Sequence, residues 1–510
     1  MRIHSGYHRL LRRYLTPFYG ITLGLVFVLA FSACDRKGAV KPGSATASQA
    51  SVLASTTSPA PGSTQAHSKN TPTPLPAIPS TPNERTPSTL GVTTTELRGL
   101  QLDLWHPWTG AVSAALQAIL DEFNHTNKWG ITVQAYAYEG FGRLDEAVES
   151  SLTSESLPDV LVEYGYQARH WDGSRVLTDL VPYVNDPVWG LTSEEQADFY
   201  PSFWAEDLVT IGNSHQTKRL GLPFYRSAYV LFYNQSWARE LGYPNPPTTP
   251  EDFRVRACAA AESIAKQGDK SNLGKGGWLI TPQPEALIGW IYAFGGEIID
   301  PDSTGYLFNT IETKRAFEYL KSLQKSGCAW TEMGAEAQNE FAKRQALFMV
   351  GSLFDIPAQR EAFAQAGSAD EWVVIPFPSS NHPVVDTYGP SLMVTQSTPV
   401  QQLAAWLVVE WLVYPPNQAE LVKKLETFPT RQSTLSYLSE TAATRPQWTE
   451  ALQLIPDSHS EPSLASWGVM RWALDDAMGQ LFDLQFNVDQ IPSLLENLDG
   501  VAEEIFSQVR

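Results

Sequence analysis

The sequence lacks several patterns that common enzyme classes need. After residue 34, no two histidines lie within four positions of each other, which excludes the His-x-x-x-His helix of many zinc enzymes. The Gly-x-Ser-x-Gly turn that presents the nucleophile of α/β-hydrolases is also absent. The paired carboxylates of a glycoside hydrolase stay open as an alternative, because 55 acidic residues reveal no geometry by themselves. We therefore expect a protein that is not an enzyme and that uses neither a metal nor a cofactor.

Positive charge is scarce as well. The chain has 36 Lys and Arg against 55 Asp and Glu, so its net charge is −19. This balance argues against nucleic acid as a partner and against general attraction to anionic lipid. At 510 residues the chain is too long for one hydrophobic core, so we expect two lobes. All 16 tryptophans lie at or after Trp105, which separates an N-terminal segment from an aromatic-rich body.

The N-terminal segment has the features of an export signal. Four arginines within the first 13 positions precede a mostly apolar run at 18–31, which is too short to span a bilayer comfortably. The following Phe31-Ser32-Ala33-Cys34 resembles the bacterial lipobox, in which signal peptidase II cleaves before a lipid-modified cysteine. We predict a lipoprotein signal peptide at 1–33 and a lipidated Cys34. The alternative is an ordinary membrane anchor with an incidental cysteine.

Residues 34–95 are predicted to be the lipidated cysteine and a disordered tether. The segment is almost entirely Ser, Thr, Pro, Ala, Gly and Gln, so it cannot bury enough apolar surface to offset the entropy of ordering it. In the body, only Cys258 and Cys328 remain. They are an even pair in an exported protein and could form a disulfide, although two buried free thiols remain an alternative.

Strands and helices alternate from residue 100 onward. Apolar spacing predicts strands at 100–105, 131–138 and 159–162. It also predicts a helix at 111–124, between the first two strands, and a helix at 144–152, between the last two. This order predicts an open α/β sheet with helices on both faces. Ligands of such sheets bind at the carboxyl ends of the strands, which indicates site loops at 105–110 and 163–165.

Eight short blocks, in order, resemble the extracellular solute-binding protein family 1, the group of maltose- and multiple-sugar-binding proteins. The blocks are the opening strand end 105–110, the helix end 121–124, 157–160, 221–225, 230–234, 247–253, 348–352 and 428–431. The resemblance implies an α/β fold of the two-lobe periplasmic-binding-protein type (type II), with a hinge and a ligand cleft between the lobes. We expect a first lobe at 97–224 plus about 390–430 and a second at 225–389 plus about 431–510.

A sugar has apolar faces and hydroxyl edges, so its pocket needs flat aromatic surfaces and a few hydrogen-bonding groups. Candidate ligand contacts at predicted strand ends and lobe junctions are Trp105, Trp108, Glu163, Tyr164, Tyr225, Arg226, Trp290 and Tyr388. Tyr225 follows the Gly-Leu-Pro crossover where the family places ligand contacts. Gly351, Ser352 and Gly389 resemble the family's ligand-facing glycine turns, where a missing β-carbon lets the backbone approach the ligand.

The resemblance implies a binding lipoprotein that captures a sugar or oligosaccharide for an ABC importer. Its expected partners are the saccharide, the permease subunits and the membrane through the N-terminal lipid, with no nucleic acid and with the protein as a monomer. The expected location is the outer face of the cytoplasmic membrane. Glycerol phosphate, a polyamine, a metal or a peptide remain alternative ligands, and a secreted glycoside hydrolase remains an alternative function.

Overall fold

The computed structural model describes residues 87–509 except 153, 155, 212–215, 267–274, 282, 301–304 and 332–336. The predicted signal peptide, Cys34 and the part of the predicted tether before residue 87 lie outside the described residues. Within those residues, the structure contains no helix that is both long enough and apolar enough to cross a membrane.

The first sheet has five strands in the order β2-β1-β3-β13-β6. They are β1 (Gln101–His106), β2 (Thr132–Ala137), β3 (Val160–Tyr164), β6 (Leu222–Pro223) and β13 (Pro390–Val394). β1 pairs in parallel with β2 and β3, whereas β13 runs antiparallel to β3 and β6. The predicted open sheet is therefore present, and a strand from far along the chain completes it.

Helices cover both faces of the first sheet. They are Gly110–Thr126, Phe141–Ser151, Gly165–Asp172, Val181–Val184, Ser193–Ala197, Pro201–Glu206, Pro399–Leu412 and Pro415–Leu425. Adjacent residues of β3 point into different cores: Val162 packs with Leu104 and Leu120, and Leu161 packs with Leu144. A separate hairpin of β4 (Leu208–Ile211) and β5 (Gln216–Arg219) follows the last of the early helices.

The second sheet has the order β15-β12-β7-β10-β8-β9, and β11 and β14 also pair with β7. Its strands are β7 (Tyr225–Asn234), β8 (Gly276–Ile280), β9 (Ala329–Thr331), β10 (Ala346–Ser352), β11 (Trp372–Ile375), β12 (Val385–Tyr388), β14 (Phe428–Pro429) and β15 (Ser458–Ser460). Every residue of β7 is buried, as expected for a strand covered on both faces.

Ten helices and four 3-10 turns surround the second sheet in the part of the chain that the structure describes. They are Gln235–Glu240, Pro250–Ala265, Glu285–Ala293, Ile311–Lys325, Ala337–Ala342, Ile356–Gln365, Ser439–Ala442, Pro446–Leu452, Trp467–Phe482 and Ile491–Gln508, with 3-10 turns at Leu353–Asp355, Gln432–Tyr437, Ile455–Asp457 and Val488–Gln490. Thr249 caps the helix that begins at Pro250, because its side chain accepts a bond from the backbone N–H of Asp252.

Three segments of chain run between the two sheets. The chain passes from β6 to β7 at Phe224 and returns from β12 to β13 at Gly389, while β14 pairs with the first residues of β7. A β-carbon on Gly389 would lie 2.4 Å from the carbonyl oxygen of Tyr225. Glycine is therefore needed for the first two crossings to run side by side.

The ordered body begins earlier than the sequence predicts. Ser88 and Thr89 donate hydrogen bonds to the Asp186 carboxylate at 2.8 to 3.0 Å, and the side chains of Val92 and Leu97 are buried in the core of the first sheet. The predicted tether was extended to residue 95 because Ser and Thr dominate its composition. Residues 88–95 differ because their hydroxyl and backbone groups have a buried carboxylate to bond with.

Cys258 and Cys328 form a disulfide between residues 70 positions apart. Cys258 lies in the helix Pro250–Ala265, and Cys328 immediately precedes β9 at the edge of the second sheet. The bond thus ties a covering helix to the edge of its sheet. Of the two alternatives left open by the sequence, the structure has the disulfide.

Candidate functional site

Trp108 lies just after β1, in the loop where the sequence predicts a ligand site. Its backbone N–H donates to Nδ1 of His106 at 3.3 Å, and the two rings stack with centroids 5.5 Å apart. Burial lowers the pKa of His106 to about 4, so the imidazole is neutral near pH 7 and can accept this bond. The Trp108 ring also packs beside that of Tyr225, with centroids 5.9 Å apart.

A line of rings continues from Tyr225 into the second sheet. The Tyr225 ring lies 6.1 Å from Phe354, and Phe354 lies 6.2 Å from Tyr388. Tyr388 stacks on Tyr229 at 4.6 Å. Residues of both sheets and their crossings therefore form one connected group, which we call the ring cluster: Trp108, Tyr225, Tyr229, Phe354 and Tyr388.

Tyr164, at the carboxyl end of β3, lies beside the ring cluster. Its ring stacks on Tyr166 at 5.4 Å and contacts Phe141 at 4.3 Å. Its hydroxyl is close enough to those of Tyr225 and Tyr388 to interact with them electrostatically. Burial raises the pKa of Tyr164 well above its usual value, so the phenol stays neutral and can donate a hydrogen bond.

Three carboxyl groups surround these rings. Oε1 of Glu163 accepts the backbone N–H of Tyr164, whereas its buried Oε2 has no partner among the described residues. Asp386, two residues before Tyr388 on the same strand, also has a buried oxygen, Oδ1, without a described partner. Glu461 is held beside β12 because its backbone N–H donates to the carbonyl of Thr387 at 2.9 Å. Burial raises the pKa of all three, and that of Glu461 to about 7.

Arg471 is a cation whose charge acts on two of these carboxyl groups, Asp386 and Glu461. Its guanidinium pairs with the buried carboxylate of Glu285, at the start of the helix Glu285–Ala293. The Arg471 charge also interacts with Glu461, Tyr229 and Tyr166. The helix Trp467–Phe482, which carries Arg471, thus brings the C-terminal part of the chain to the rings of both sheets.

Arg226 lies at the crossing, and its hydrogen bonds are directed to the protein itself. Nε donates to Glu206 at 2.6 Å, and the two terminal nitrogens donate to the carbonyls of Tyr225 and Pro390 and to the hydroxyl of Ser391. These partners lie on either side of the crossing strands, and the Arg226 side chain is almost fully buried. Arg226, which was predicted to contact the ligand, therefore bonds within the protein and joins the two crossings.

Two predicted tryptophans lie apart from the ring cluster. Trp105 packs on Tyr138 at 5.1 Å, on the face of the first sheet that carries Leu161. Trp290 is fully buried in the core of the second sheet, with Phe253 and Tyr319 within 5.2 Å. Its indole is surrounded by core side chains, so the structure does not bring Trp290 to the other predicted contacts.

The predicted glycines serve close packing instead of ligand approach. A β-carbon on Gly351 would lie 2.9 Å from the ring of Phe232, and one on Gly389 would meet the Tyr225 backbone at the crossing. Ser352 lies beside the ring cluster because it pairs with Tyr229 across β10 and β7, and its hydroxyl donates to Asp355 at 3.1 Å. Close packing within the fold thus explains why residues 351 and 389 are glycines.

Sequence reasoning missed several residues that the structure brings to this place. They are Tyr166, Tyr229, Phe354, Glu285, Asp386, Glu461 and Arg471. Phe354 follows the Gly351-Ser352 turn closely, and this proximity was a usable signal. Glu461 and Arg471 come from the C-terminal segment, where no strand-end pattern marks them.

Among the residues that the structure describes, no three His, Cys, Asp or Glu side chains are arranged to hold a metal ion. A separate cavity of about 490 Å³ opens on the helices of the first sheet, away from the ring cluster. Its lining includes Trp189, Glu195, Glu410 and Arg431, and burial raises the pKa of Glu410 to about 8. None of the predicted ligand contacts lines this cavity, so we place the functional site at the ring cluster.

Comparison with known families gives one assignment for most of the body. Residues 118–450 match the model of a family described as bacterial extracellular solute-binding protein. A binding protein of Brucella abortus (strain 2308) is 22% identical over 319 residues, which cover 61% of this chain and 73% of that protein.

Solved structures of the same architecture cover the chain more fully. The sugar-binding protein MalE of Xanthomonas citri aligns with a TM-score of 0.68 at 18% identity, over 80% of this chain and 98% of that one. The cyclic α-maltosyl-1,6-maltose binding protein of Arthrobacter globiformis aligns with a TM-score of 0.66 at 20% identity, over 80% and 99%. At these identities the likeness concerns the fold.

Proposed function

The chain belongs to the bacterial extracellular solute-binding proteins, and on that premise we propose that it captures a sugar or oligosaccharide and delivers it to an ABC importer. The predicted family and the predicted two-lobe α/β fold class are confirmed by the family match and by the structural neighbours. Members of this family bind solutes and do not convert them, so the protein is a binding protein and not an enzyme.

The ring cluster is the observation that carries the proposal. Trp108 comes from the loop after β1, whereas Phe354, Tyr388 and Tyr229 come from the second sheet, and Tyr225 stands at the crossing between them. Aromatic faces bind the apolar C–H faces of a pyranose ring, and neighbouring hydroxyl and carboxyl groups bind its edges. The names of the two neighbours above, both saccharide binders, support the same ligand class.

We assign ligand contact to Trp108, Tyr164, Tyr225, Ser352, Tyr388 and Glu163. Trp105, Arg226, Trp290, Gly351 and Gly389 are left out, because each packs within the protein for the reasons given above. The lobes are proposed to be 97–224 plus about 390–430 and 225–389 plus about 431–510, and to close around the ligand by bending at the crossings.

The proposed setting follows from the N-terminal sequence. Cleavage before Cys34 and its lipidation would anchor the protein, as a monomer, to the outer face of the cytoplasmic membrane. Residues from 35 to the start of the ordered body would act as a tether, which lets the lobes reach the permease subunits of the importer.

A thermal-shift screen against a carbohydrate panel tests the ligand class. A saccharide at 100 times its dissociation constant should stabilise the protein by about 2.7 kcal/mol. Small-angle scattering should then show a smaller radius of gyration with the bound saccharide, and chromatography should recover the saccharide intact. Stabilisation by no carbohydrate, or release of hydrolysed sugar, would refute the proposal.

The anchor has its own test. Cys34→Ala should leave an uncleaved leader or release the protein from membranes, whereas Cys258→Ala, which removes a cysteine of the disulfide, should leave membrane association unchanged. Normal processing and membrane association of Cys34→Ala would contradict lipidation at this residue.

A further inference from the structure

The carboxyl groups at the ring cluster outnumber the cations that could neutralise them. Glu285 pairs with Arg471, and Glu206 pairs with Arg226. Glu163, Asp386 and Glu461 have no ion-pair partner among the described residues, and Glu163 and Asp386 are at most 2% exposed. The Arg471 charge also reaches Glu461 and Asp386, so one cation is shared among Glu285, Glu461 and Asp386. The carboxyl groups therefore outnumber the cations where the two sheets meet.

These three carboxyl groups lie around the same set of tyrosines. Tyr166 interacts with Glu163 on its own side and with Glu461 across the lobes. Tyr229 and Tyr388 stack on each other, and Asp386 lies on the same face of the second sheet, opposite Tyr229. Glu461 is bonded through its backbone N–H to the neighbouring Thr387. Tyrosine faces and carboxylates thus meet at one place.

The unpartnered oxygens indicate which chemical groups a ligand would bring to the ring cluster. A buried carboxyl oxygen without a hydrogen-bond partner lowers the stability of the protein, because the oxygen loses its hydration and gains no bond in return. The buried oxygens Oε2 of Glu163 and Oδ1 of Asp386 are both in this state among the described residues. A ligand that brings hydrogen-bond donors would satisfy the oxygens, and a ligand that also brings positive charge would neutralise the group.

We propose that the solute bound at the ring cluster carries an ammonium group, which sits on the faces of Tyr229 and Tyr388 and pairs with Glu461 and Asp386. The inference rests on the proposed function and narrows its ligand to an amine-bearing saccharide. Electron-rich tyrosine faces and carboxylates are the groups that bind ammonium ions in proteins. A neutral saccharide would fill the hydrogen bonds but would bring no positive charge to favour the ionised form of these carboxyl groups.

The test compares matched saccharides by calorimetry on the full-length protein. Each set has a neutral sugar, its amino-deoxy analogue and the N-acetylated form of that amine: glucose, glucosamine and N-acetylglucosamine, and cellobiose with the corresponding chitobiose diamine and di-N-acetylchitobiose. The amine should bind at least tenfold more tightly than both uncharged forms in at least one set. Because the N-acetyl group keeps the nitrogen and removes the charge, it separates charge from shape.

Substitution of the carboxyl group should remove the preference. Glu461→Gln keeps the size of the side chain and should weaken binding of the amine at least tenfold more than it weakens binding of the neutral sugar. Glu440→Gln is the matched control, because Glu440 is exposed and remote from the rings. If Glu461→Gln fails to fold, the comparison of ligands on the unmodified protein still decides.

Failure of the inference differs from failure of the proposed function. A neutral sugar that binds as tightly as its amine overturns the inference and leaves the saccharide-binding function intact. No binding of any of the six compounds also overturns the inference, while the broader carbohydrate panel decides the function by itself.

Discussion

Trp290→Ala is expected to weaken the fold and to leave ligand affinity unchanged. The Trp290 side chain is fully buried, with ring centroids of Phe253 at 5.0 Å, Tyr319 at 5.2 Å and Phe377 at 5.6 Å. An aromatic side chain buries about 150–250 Å², which at about 25 cal/mol per Å² contributes about 4–6 kcal/mol. Alanine keeps only the β-carbon, so we expect a loss of about 3–5 kcal/mol in the free energy of unfolding.

Trp108→Ala is the matched variant, because it removes the same side chain from the ring cluster. Trp108 is only partly buried and touches His106, Phe224 and Tyr225 through its ring. We expect saccharide binding to weaken by about 1–3 kcal/mol, the scale of one lost contact at the centre of an interface. That range corresponds to an increase of about 5- to 150-fold in the dissociation constant.

Denaturant melts followed by circular dichroism measure the first effect, and calorimetry with the saccharide found in the panel measures the second. Trp290→Ala should lower the stability of the fold, and Trp108→Ala should lower the affinity for the saccharide. A Trp290→Ala protein of unchanged stability and reduced affinity would refute the packing argument and return Trp290 to the site. A Trp108→Ala protein that loses only stability would remove Trp108 from it.

Three further predictions concern stability. Reduction of the Cys258–Cys328 disulfide, whose cysteines are 70 positions apart, should lower the free energy of unfolding by about 4 kcal/mol on the chain-entropy model; identical melts with and without reductant would contradict this. Asp186→Ala should cost about 1–3 kcal/mol and allow proteolysis between residues 87 and 97, and unchanged protection there would be evidence against the role of Asp186. Burial raises the pKa of Glu410 from 4.5 to about 8 in the folded state, so between these values the folded protein binds more protons than the unfolded chain and its stability should fall as pH rises from about 4.5 to 8. Glu410→Gln should reduce this slope in denaturant melts and Glu440→Gln should not; equal slopes in both would refute the assignment.

The architecture was predictable because its signals are local. The alternation of strand and helix from residue 100 to 164 predicts the parallel core of the first sheet, and Thr249-Pro250 marks the start of a helix. The N-terminal limit was not predictable from composition, since the bonds of Ser88 and Thr89 depend on Asp186, nearly 100 positions away.

The site was predictable only where a loop presents a single candidate. Trp108 and Tyr164 follow strands whose ends define the site edge of the sheet. Trp290 lies in a helix whose nine residues are all buried, so no polar face indicates which side is turned to the core. Glu461 reaches the rings through the pairing of β15 with β12, and Arg471 reaches them through the packing of the C-terminal helices. No local pattern encodes either contact.

The attachment of residues 88 and 89 has a mechanical consequence. Ser88 and Thr89 bond to Asp186, and Val92 and Leu97 lie in the core of the first sheet, so residues 88–97 are fastened to that sheet. A pull on residue 88 from its N-terminal side would enter the described body through the first sheet. The second sheet could then swing on the three crossings while the first stays stationary relative to whatever holds the N-terminus.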